Sequence, residues 1–332
     1  MSGPFAKPRC IAPLLLAVAV FLLLNGPGRS NASERHLIWT AGTLTLMGSI
    51  HTLSEKAFPL PDVFLKSYRD ADVLVFETDM ERLNTPDFQA EFQSLGLYPD
   101  GDHIQNHLSP HVYHKLLSTL DELHIPKKMY TRFRPWFCAL ALTTLHFQEQ
   151  GYGPRNGLDS YFFNMAQQDG KTLAHLESPE DQLHLLQSLN GDEAEEKFLL
   201  QSLQQMGGDG SMAEEMASAW ARGDAGALHS LIMAGFEDFP KLYERFFIQR
   251  NRNWLPAIEK LIHSGNHCLV IVGAGHLVGP RGLVRMLEDQ GCQVHPIRIE
   301  ARSGLPYLGR QDPTGPAEVP QAPHREVVMD VR

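Results

Sequence analysis

Two tetrapeptides of the form Gly-x-x-His lie near opposite ends of the chain, Gly48-Ser49-Ile50-His51 and Gly273-Ala274-Gly275-His276. Each follows an apolar run that reads as a β-strand. A carboxylate, Glu77, closes a third such run, Asp72-Val73-Leu74-Val75-Phe76-Glu77. Open α/β sheets bind their ligands at the carboxyl edge of the strands. Two imidazoles and a carboxylate brought to that edge form a donor set suited to a divalent metal. His51, His276 and Glu77 are therefore the candidate catalytic residues and the candidate metal ligands. Gly273 and Gly275 let the backbone turn sharply and let a ligand come close, which makes Gly275 a candidate substrate contact. Ser49, inside the first motif, is another, and a serine nucleophile there stays open. Arg250, in Gln249-Arg250-Asn251-Arg252, is placed to pair a carboxylate of the site or of a substrate.

Other arrangements carry less. His103, His107, His111 and His114 crowd one segment, but Pro110 and Asp100-Gly101 break any continuous helix there. That segment reads as solvated, with an accessory metal site as the alternative. Gly151-Tyr152-Gly153-Pro154-Arg155-Asn156-Gly157 lacks the Lys-Ser/Thr of a phosphate loop. The glycines at 273, 275 and 279 miss the dinucleotide spacing by one residue. No His-Glu-x-x-His or Gly-x-Ser-x-Gly sequence occurs.

The elements that position these residues come from the two ends of the chain. Residues 36–51 read as a hairpin turning near Ala41-Gly42. A helix starting at Pro61 leads to the strand 72–78, a unit that implies parallel pairing. From about residue 85 to 254 the periodicity is mostly helical, with a short strand candidate at 171–176. One helix is expected over 239–249 and another over 254–263, with Arg250 between them. Cys268-Leu269-Val270-Ile271-Val272 is unbroken and apolar, as in a central strand covered on both faces. A loop over 273–279, a helix from Pro280 and a last strand over 293–299 complete the pattern. The expected class is α/β: a central, mostly parallel sheet from both ends of the chain, with a large helical insertion over about 85–254.

Lys7 and Arg9 precede an apolar run over 11–24, which Asn25-Gly26-Pro27-Gly28 breaks. Residues 1–32 read as a secretory signal peptide cut after Ala32. The run is short against the roughly 20 residues of a membrane span. Export, to a periplasm or out of the cell, is expected; an uncleaved leader would instead attach the chain to a membrane. Residues 33–300 form the α/β domain, and 301–332 are a Pro-rich tail expected to be disordered. After the leader only Cys138, Cys268 and Cys292 remain, which is no disulfide framework. Cys268 and Cys292 could bridge if their runs were adjacent strands. With 29 basic and 39 acidic residues the formal charge is −10. No nucleic-acid partner is expected from that balance.

Further pieces fall in a set order: Arg134-Pro135-Trp136, Gly157-Leu158-Asp159-Ser160-Tyr161-Phe162, Leu176-Glu177-Ser178-Pro179-Glu180-Asp181-Gln182-Leu183, Arg250-Asn251 and Val272-Gly273-Ala274-Gly275-His276-Leu277-Val278-Gly279. With the first Gly-x-x-His motif and Glu77, their order and spacing over about residues 36–300 resemble the TraB/GumN family. Gln249 stands where that family usually has an acidic residue. Tiki-like members are described as metal-dependent proteases, and the resemblance carries that role to His51, His276 and Glu77. It also implies a sheet core shared with erythromycin-esterase-like and ChaN-like proteins. The expectation is an exported hydrolase acting on a peptide or small-molecule substrate. His51 and His276 would ligate Mn²⁺, Co²⁺ or Zn²⁺, with Glu77 as third ligand or general base. Two alternatives stay open: a peptide-sequestering protein without turnover, as in the pheromone-shutdown relatives, and a metal-independent esterase-like hydrolase using His51 as base.

Overall fold

Valines, isoleucines and leucines fill three short runs that end at the residues singled out above, and those runs form the middle of one sheet. A computed structural model describes residues 35–298, apart from 154–155 and 207–210. The leader and the tail lie outside the described residues. In chain order the strands are β1 (Arg35–Ala41), β2 (Leu44–Ser49), β3 (Leu53–Ser54), β4 (Val73–Thr78), β5 (Tyr152–Gly153), β6 (Thr172–Glu177), β7 (Cys268–Gly273) and β8 (His295–Arg298). The main sheet runs β6-β4-β7-β2-β1-β8, while β3 and β5 pair separately and antiparallel. Neighbours from β6 to β2 are parallel; β1 is antiparallel to both β2 and β8.

The helices are α1 (Asp62–Asp70), α2 (Met80–Leu83), α3 (Pro86–Leu95), α4 (Pro110–Glu122), α5 (Pro135–Glu149), α6 (Leu158–Asp169), α7 (Pro179–Gln187), α8 (Asp192–Met206), α9 (Ser211–Ala221), α10 (Ala225–Gly235), α11 (Pro240–Tyr243), α12 (Arg250–Ile262), α13 (Ala274–Leu277) and α14 (Leu283–Asp289). Proline opens α3, α4, α5, α7 and α11. At the first helical position its fixed φ is helical and its missing N–H costs nothing. None of the helices among the described residues is long and apolar enough to cross a membrane.

β4 and β7 are buried along their whole length. Alternate residues serve the two faces. Leu74, Phe76, Leu269 and Ile271 join the core under the helical section, with Phe162 and Phe163 of α6. Val73, Val75, Val270 and Val272 meet Trp254, Ile258, Leu283 and Leu287 of α12 and α14.

Four expectations change. β2 and β4 are parallel, but β7 lies between them rather than the two pairing directly. The strand candidate at 171–176 is β6, an edge of the main sheet beside β4, so the helical insertion is interrupted by a sheet strand. The sheet order also sets β2 and β1 between β7 and β8, so Cys268 and Cys292 are not on neighbouring strands, and both are free. Finally, α11, a π-helical stretch over Glu244–Gln249 and α12 follow one another without a break. Arg250 is thus the first residue of α12, not part of a junction ahead of it. Wide π turns recur at functional sites.

Candidate functional site

Parallel strands all present their carboxyl ends at one edge. The register sets Ser49 opposite Gly273 and Thr78 opposite Glu177. His51 follows β2, Glu77 is the next-to-last residue of β4, Glu177 ends β6, and His276 sits in the helical turn α13 directly after β7. A carboxylate at a strand end often serves the next helix as its cap. Here Asp79 does that work, accepting from the N–H groups of Glu81 and Arg82. Beyond β6 the cap of α7 is Ser178, paired with Asp181 in a capping box. Glu77 and Glu177 are left free for the site.

Arg250 binds both. Its Nη2 donates to Glu77 Oε2 at 2.5 Å and to Glu177 Oε1 at 2.6 Å, and its Nε donates to both Glu177 oxygens at 3.1 Å. Glu177 also accepts from Trp254 Nε1 and Gln182 Nε2, each at 3.0 Å. The Trp254 ring lies 4.6 Å from the guanidinium carbon, a cation–π contact. Gln249 does not join this network; its amide donates to Asn253. The carboxylates that answer Arg250 come from the sheet.

Each histidine is fixed through Nδ1. His51 Nδ1 lies 2.8 Å from Asp159 Oδ2, and Ser49 Oγ donates to the other oxygen of Asp159 at 2.7 Å. His276 Nδ1 lies 2.7 Å from Asn251 Oδ1. The Asn251 amide nitrogen donates to the carbonyls of His276 and Arg281, which orients its oxygen to the ring. Arg250 Nη1, 3.0 Å away, donates to His276 Nε2. His276 therefore carries its proton on Nδ1. Phe247 and Trp254 enclose the ring, with centroids 5.0 and 4.5 Å away.

The three candidate groups face one point. A Cβ added at Gly273 would lie 3.2 Å from Glu77 Oε1, 3.3 Å from His51 Nε2 and 3.7 Å from His276 Cδ2. The Gly273 N–H donates to Glu77 Oε1 at 2.6 Å. Glycine leaves a hollow where any side chain would project between the reactive groups. At φ −49° and ψ 131° an alanine backbone is unstrained. On a catalytic reading of this centre, Gly273→Ala is expected to lower turnover about 10²-fold by misplacing these groups while thermal unfolding stays near that of the parent; kcat and a melting curve on the same preparation check it.

Burial would raise the Glu77 carboxyl, but the charges of Arg250, His276 and His51 and the Gly273 N–H outweigh it, and its pKa falls to about 2. Burial and the Arg250 charge lower His276 to about 3, so it is neutral near pH 7. Burial also works against a charged His51, yet Asp159, by charge and hydrogen bond, and Glu77 raise it above its ordinary value. Burial and the neighbouring Glu77 charge push Glu177 upward against the pull of Arg250.

These shifts set a pH dependence. Below 6.5 an unfolded chain protonates His276, whereas the folded chain resists until about 3. Its contribution to stability is full above that upper value and drains away as pH falls. Glu77 adds to the loss from 4.5 down to about 2, while Glu177, raised, acts oppositely. The contribution of His51 is present below 6.5 and lost as pH rises through its raised value. In chelator, urea unfolding is expected to show stability falling between about pH 6 and pH 4. His276→Gln is expected to flatten that slope; an unchanged slope would contradict the assignment.

The structure thus brings together His51, Glu77, His276 and Arg250. Ser49 lies behind His51 with its hydroxyl given to Asp159. Gly275 is tightly covered: a Cβ there would meet Phe247 at 2.7 Å and Ile232 at 2.9 Å. The histidine-rich segment stays apart, with Asp102 accepting from Asn106, pairing with His107 and capping the His103 N–H. Glu177, Asp159 and Asn251 stand in the pieces that carry the family resemblance, but neither they nor Trp254 were assigned to the site from sequence. For Glu177 a signal existed, since it ends a strand candidate just as Glu77 does.

A divalent ion fits the chemistry of the donors. Both imidazoles are held through Nδ1 by oxygen partners, the second-shell arrangement of metal-binding histidines, and a carboxylate and a hollow complete the set. The spacing is that of an Arg250-centred network, however. Arg250 occupies His276 Nε2 and Glu77 Oε2, and among the described residues no group of three or more His, Cys, Asp or Glu side chains is close enough to hold an ion.

The profile of the TraB/PrgY/gumN family matches residues 38–296. The protein named "Uncharacterized protein YbaP" from Escherichia coli (strain K12) is 26% identical over 261 residues, covering 76% of this chain and 94% of that protein. Its namesake from Shigella flexneri is similar to the same extent. No solved structure matches the chain. The family match spans most of the chain and includes all of the residues gathered around Arg250, and so the chain belongs to the TraB/PrgY/gumN family.

Proposed function

We propose that this chain is an exported hydrolase acting on peptides, with its reaction centre at His51, Glu77 and His276. The observation that supports this reading best is the convergence of those three groups on the hollow at Gly273. In this reading Arg250 Nη1 gives up His276 Nε2, and His51 and His276 would then hold a divalent ion (Mn²⁺, Co²⁺ or Zn²⁺) through Nε2, with Glu77 as the third ligand or the base. Such an ion acidifies water toward a pKa of about 7. The protein's own residues do the rest. Asp159 and Asn251 keep the imidazole Nε2 atoms turned to the centre. Glu77 stays ionised at neutral pH. Arg250, anchored on Glu177, places positive charge where a substrate carbonyl would gain negative charge.

A second reading is favoured by the contact of Arg250 with His276. In it no ion is needed, and Arg250 is the electrophilic group. His51, with Nδ1–H directed to Asp159, takes the proton of a water or of an ester-cleaving nucleophile through Nε2.

One experiment separates the readings. A peptide and ester panel is incubated with the protein in chelator, then with each metal restored. Loss of turnover in chelator and its return with metal supports the first reading. Turnover that ignores the chelator removes the metal and leaves the second. Peptide bound but recovered intact under every condition overturns both in favour of a sequestering protein. Mass spectrometry of the mature N-terminus tests export; an N-terminus at or near Ser33 is expected.

A further inference from the structure

Arg250 Nη1 and a divalent ion compete for one electron pair. With its proton on Nδ1, toward Asn251, the His276 ring keeps a single lone pair, at Nε2. Arg250 Nη1 donates to it at 3.0 Å. An ion needs that same pair, so the two exclude each other there. Glu77 differs, because it has two oxygens. Its Oε2 accepts from Arg250 Nη2, while its Oε1 faces the hollow, 3.2 Å from a Cβ added at Gly273. That oxygen lies 3.9 Å from His276 Nε2. Two ligands bonded to one ion at about 2.0–2.2 Å stand no more than about 4.4 Å apart. This pair is within reach of a shared ion with Arg250 still on Glu77, and Nη1 is what stands on the nitrogen.

The surroundings of the guanidinium let Nη1 withdraw. It also donates to Phe246 O at 3.2 Å, a carbonyl of the π-helical stretch. Nε and Nη2 are held by Glu177 at 3.1 and 2.6 Å. Every nitrogen of Arg250 therefore has an acceptor outside the hollow. Rotation about the Nε–Nη2 edge, which Glu177 grips, moves Nη1 and leaves that grip in place. This matters because Arg250, Glu77 and Glu177 are at most 13% exposed. A donor stripped of all its partners in such a site would carry the full penalty of desolvation. Glu177 also brings the negative charge that a second cation beside Arg250 would need.

We propose that Arg250 gates the ion: its Nη1 and a divalent ion alternate at His276 Nε2, and Glu177 with Phe246 O forms the seat to which the guanidinium withdraws. The place of the ion rests on the first reading above; the competition does not depend on turnover.

The test measures ion binding. Calorimetry with Zn²⁺, and the visible absorption of Co²⁺, read the affinity of the full chain near neutral pH. Arg250→Lys is expected to bind either ion about tenfold or more tighter than the parent, the scale of one hydrogen bond to a charged group. Lysine keeps the positive charge, so relief of repulsion does not account for a gain. Its compact head is drawn to the carboxylates and leaves His276 Nε2 open. His276→Gln is expected to weaken binding and to erase the difference that Arg250→Lys makes. Thermal unfolding is the control for folding. A crystal structure of the unaltered chain with Zn²⁺ needs no variant, and is expected to show Zn²⁺ on His276 Nε2 and Nη1 off it. Equal or weaker binding by a folded Arg250→Lys protein overturns the proposal. So does a gain that survives His276→Gln, or a Zn²⁺ structure with Nη1 still on Nε2. Equal affinities beside metal-dependent turnover remove the gate and keep the hydrolase reading. The expected affinities with no turnover of any substrate do the reverse. No ion bound by any form removes the gate and the metal together.

Discussion

Arg250→Met is expected to destabilise the protein by about 3–5 kcal/mol and to abolish turnover. Arg250 holds Glu77 and Glu177 together at 2.5 and 2.6 Å, and all three side chains are at most 13% exposed. Removing one partner of a buried ion pair strands the other, and that desolvation cost dominates. Here two carboxylates would be stranded by one substitution. Methionine keeps much of the bulk over Trp254, so lost packing contributes little. Arg250→Lys keeps the charge but not the planar fork that reaches Glu77, Glu177 and His276 together. It is expected to recover part of the stability and little of the activity. Urea unfolding near neutral pH reads the first quantity. A loss below about 1 kcal/mol, the scale of a surface pair, would mean that the network does not hold this edge of the sheet together.

Glu77→Gln is expected to show the opposite balance. An amide keeps an oxygen for the Gly273 N–H, and Arg250 keeps Glu177, so no charge is left without a partner. Folding should suffer less than with Arg250→Met. Turnover should fall by roughly 10²–10⁴-fold, the range for removing a group that moves a proton or anchors the reacting water. Activity within tenfold of the parent would remove Glu77 from the reaction and leave it a purely structural anchor for Arg250. The pair of variants thus separates stability from chemistry within one hydrogen-bonded network.

How much of this was legible in the sequence differs residue by residue. His51, Glu77 and His276 could be read because each ends, or closely follows, an apolar strand, and parallel strands bring such ends to one edge. The α/β class was legible from the same runs. Arg250 was visible only as an arginine near a helix start, because the π-helical stretch before it has no distinctive residue pattern. Of its partners, Glu77 and His276 had been singled out and Glu177 closes a strand candidate, but nothing in the sequence shows that all three meet at Arg250. Glu177 lies 73 positions away, and Asp159 lies 108 positions from His51; only the order of strands decides that they meet. That order was the main gap. Unbroken apolar runs such as β4 and β7 show that a strand is covered on both faces, not which strands flank it. The place of β7 between β2 and β4 is set by pairing between segments far apart in the chain, and no local signal encodes it.

That place has a consequence for how the molecule is made. β2 and β4 leave the ribosome early, yet the slot between them is filled only by residues 268–273. Closing so long a loop is entropically slow, and native contacts of such wide separation form late. Until then two strand edges stay open, and His51 and Glu77 have no His276 or Arg250 beside them. Synthesis of a nearly full-length chain therefore precedes any working centre. A product truncated before Cys268 should be both inert and prone to aggregate through its unfilled sheet.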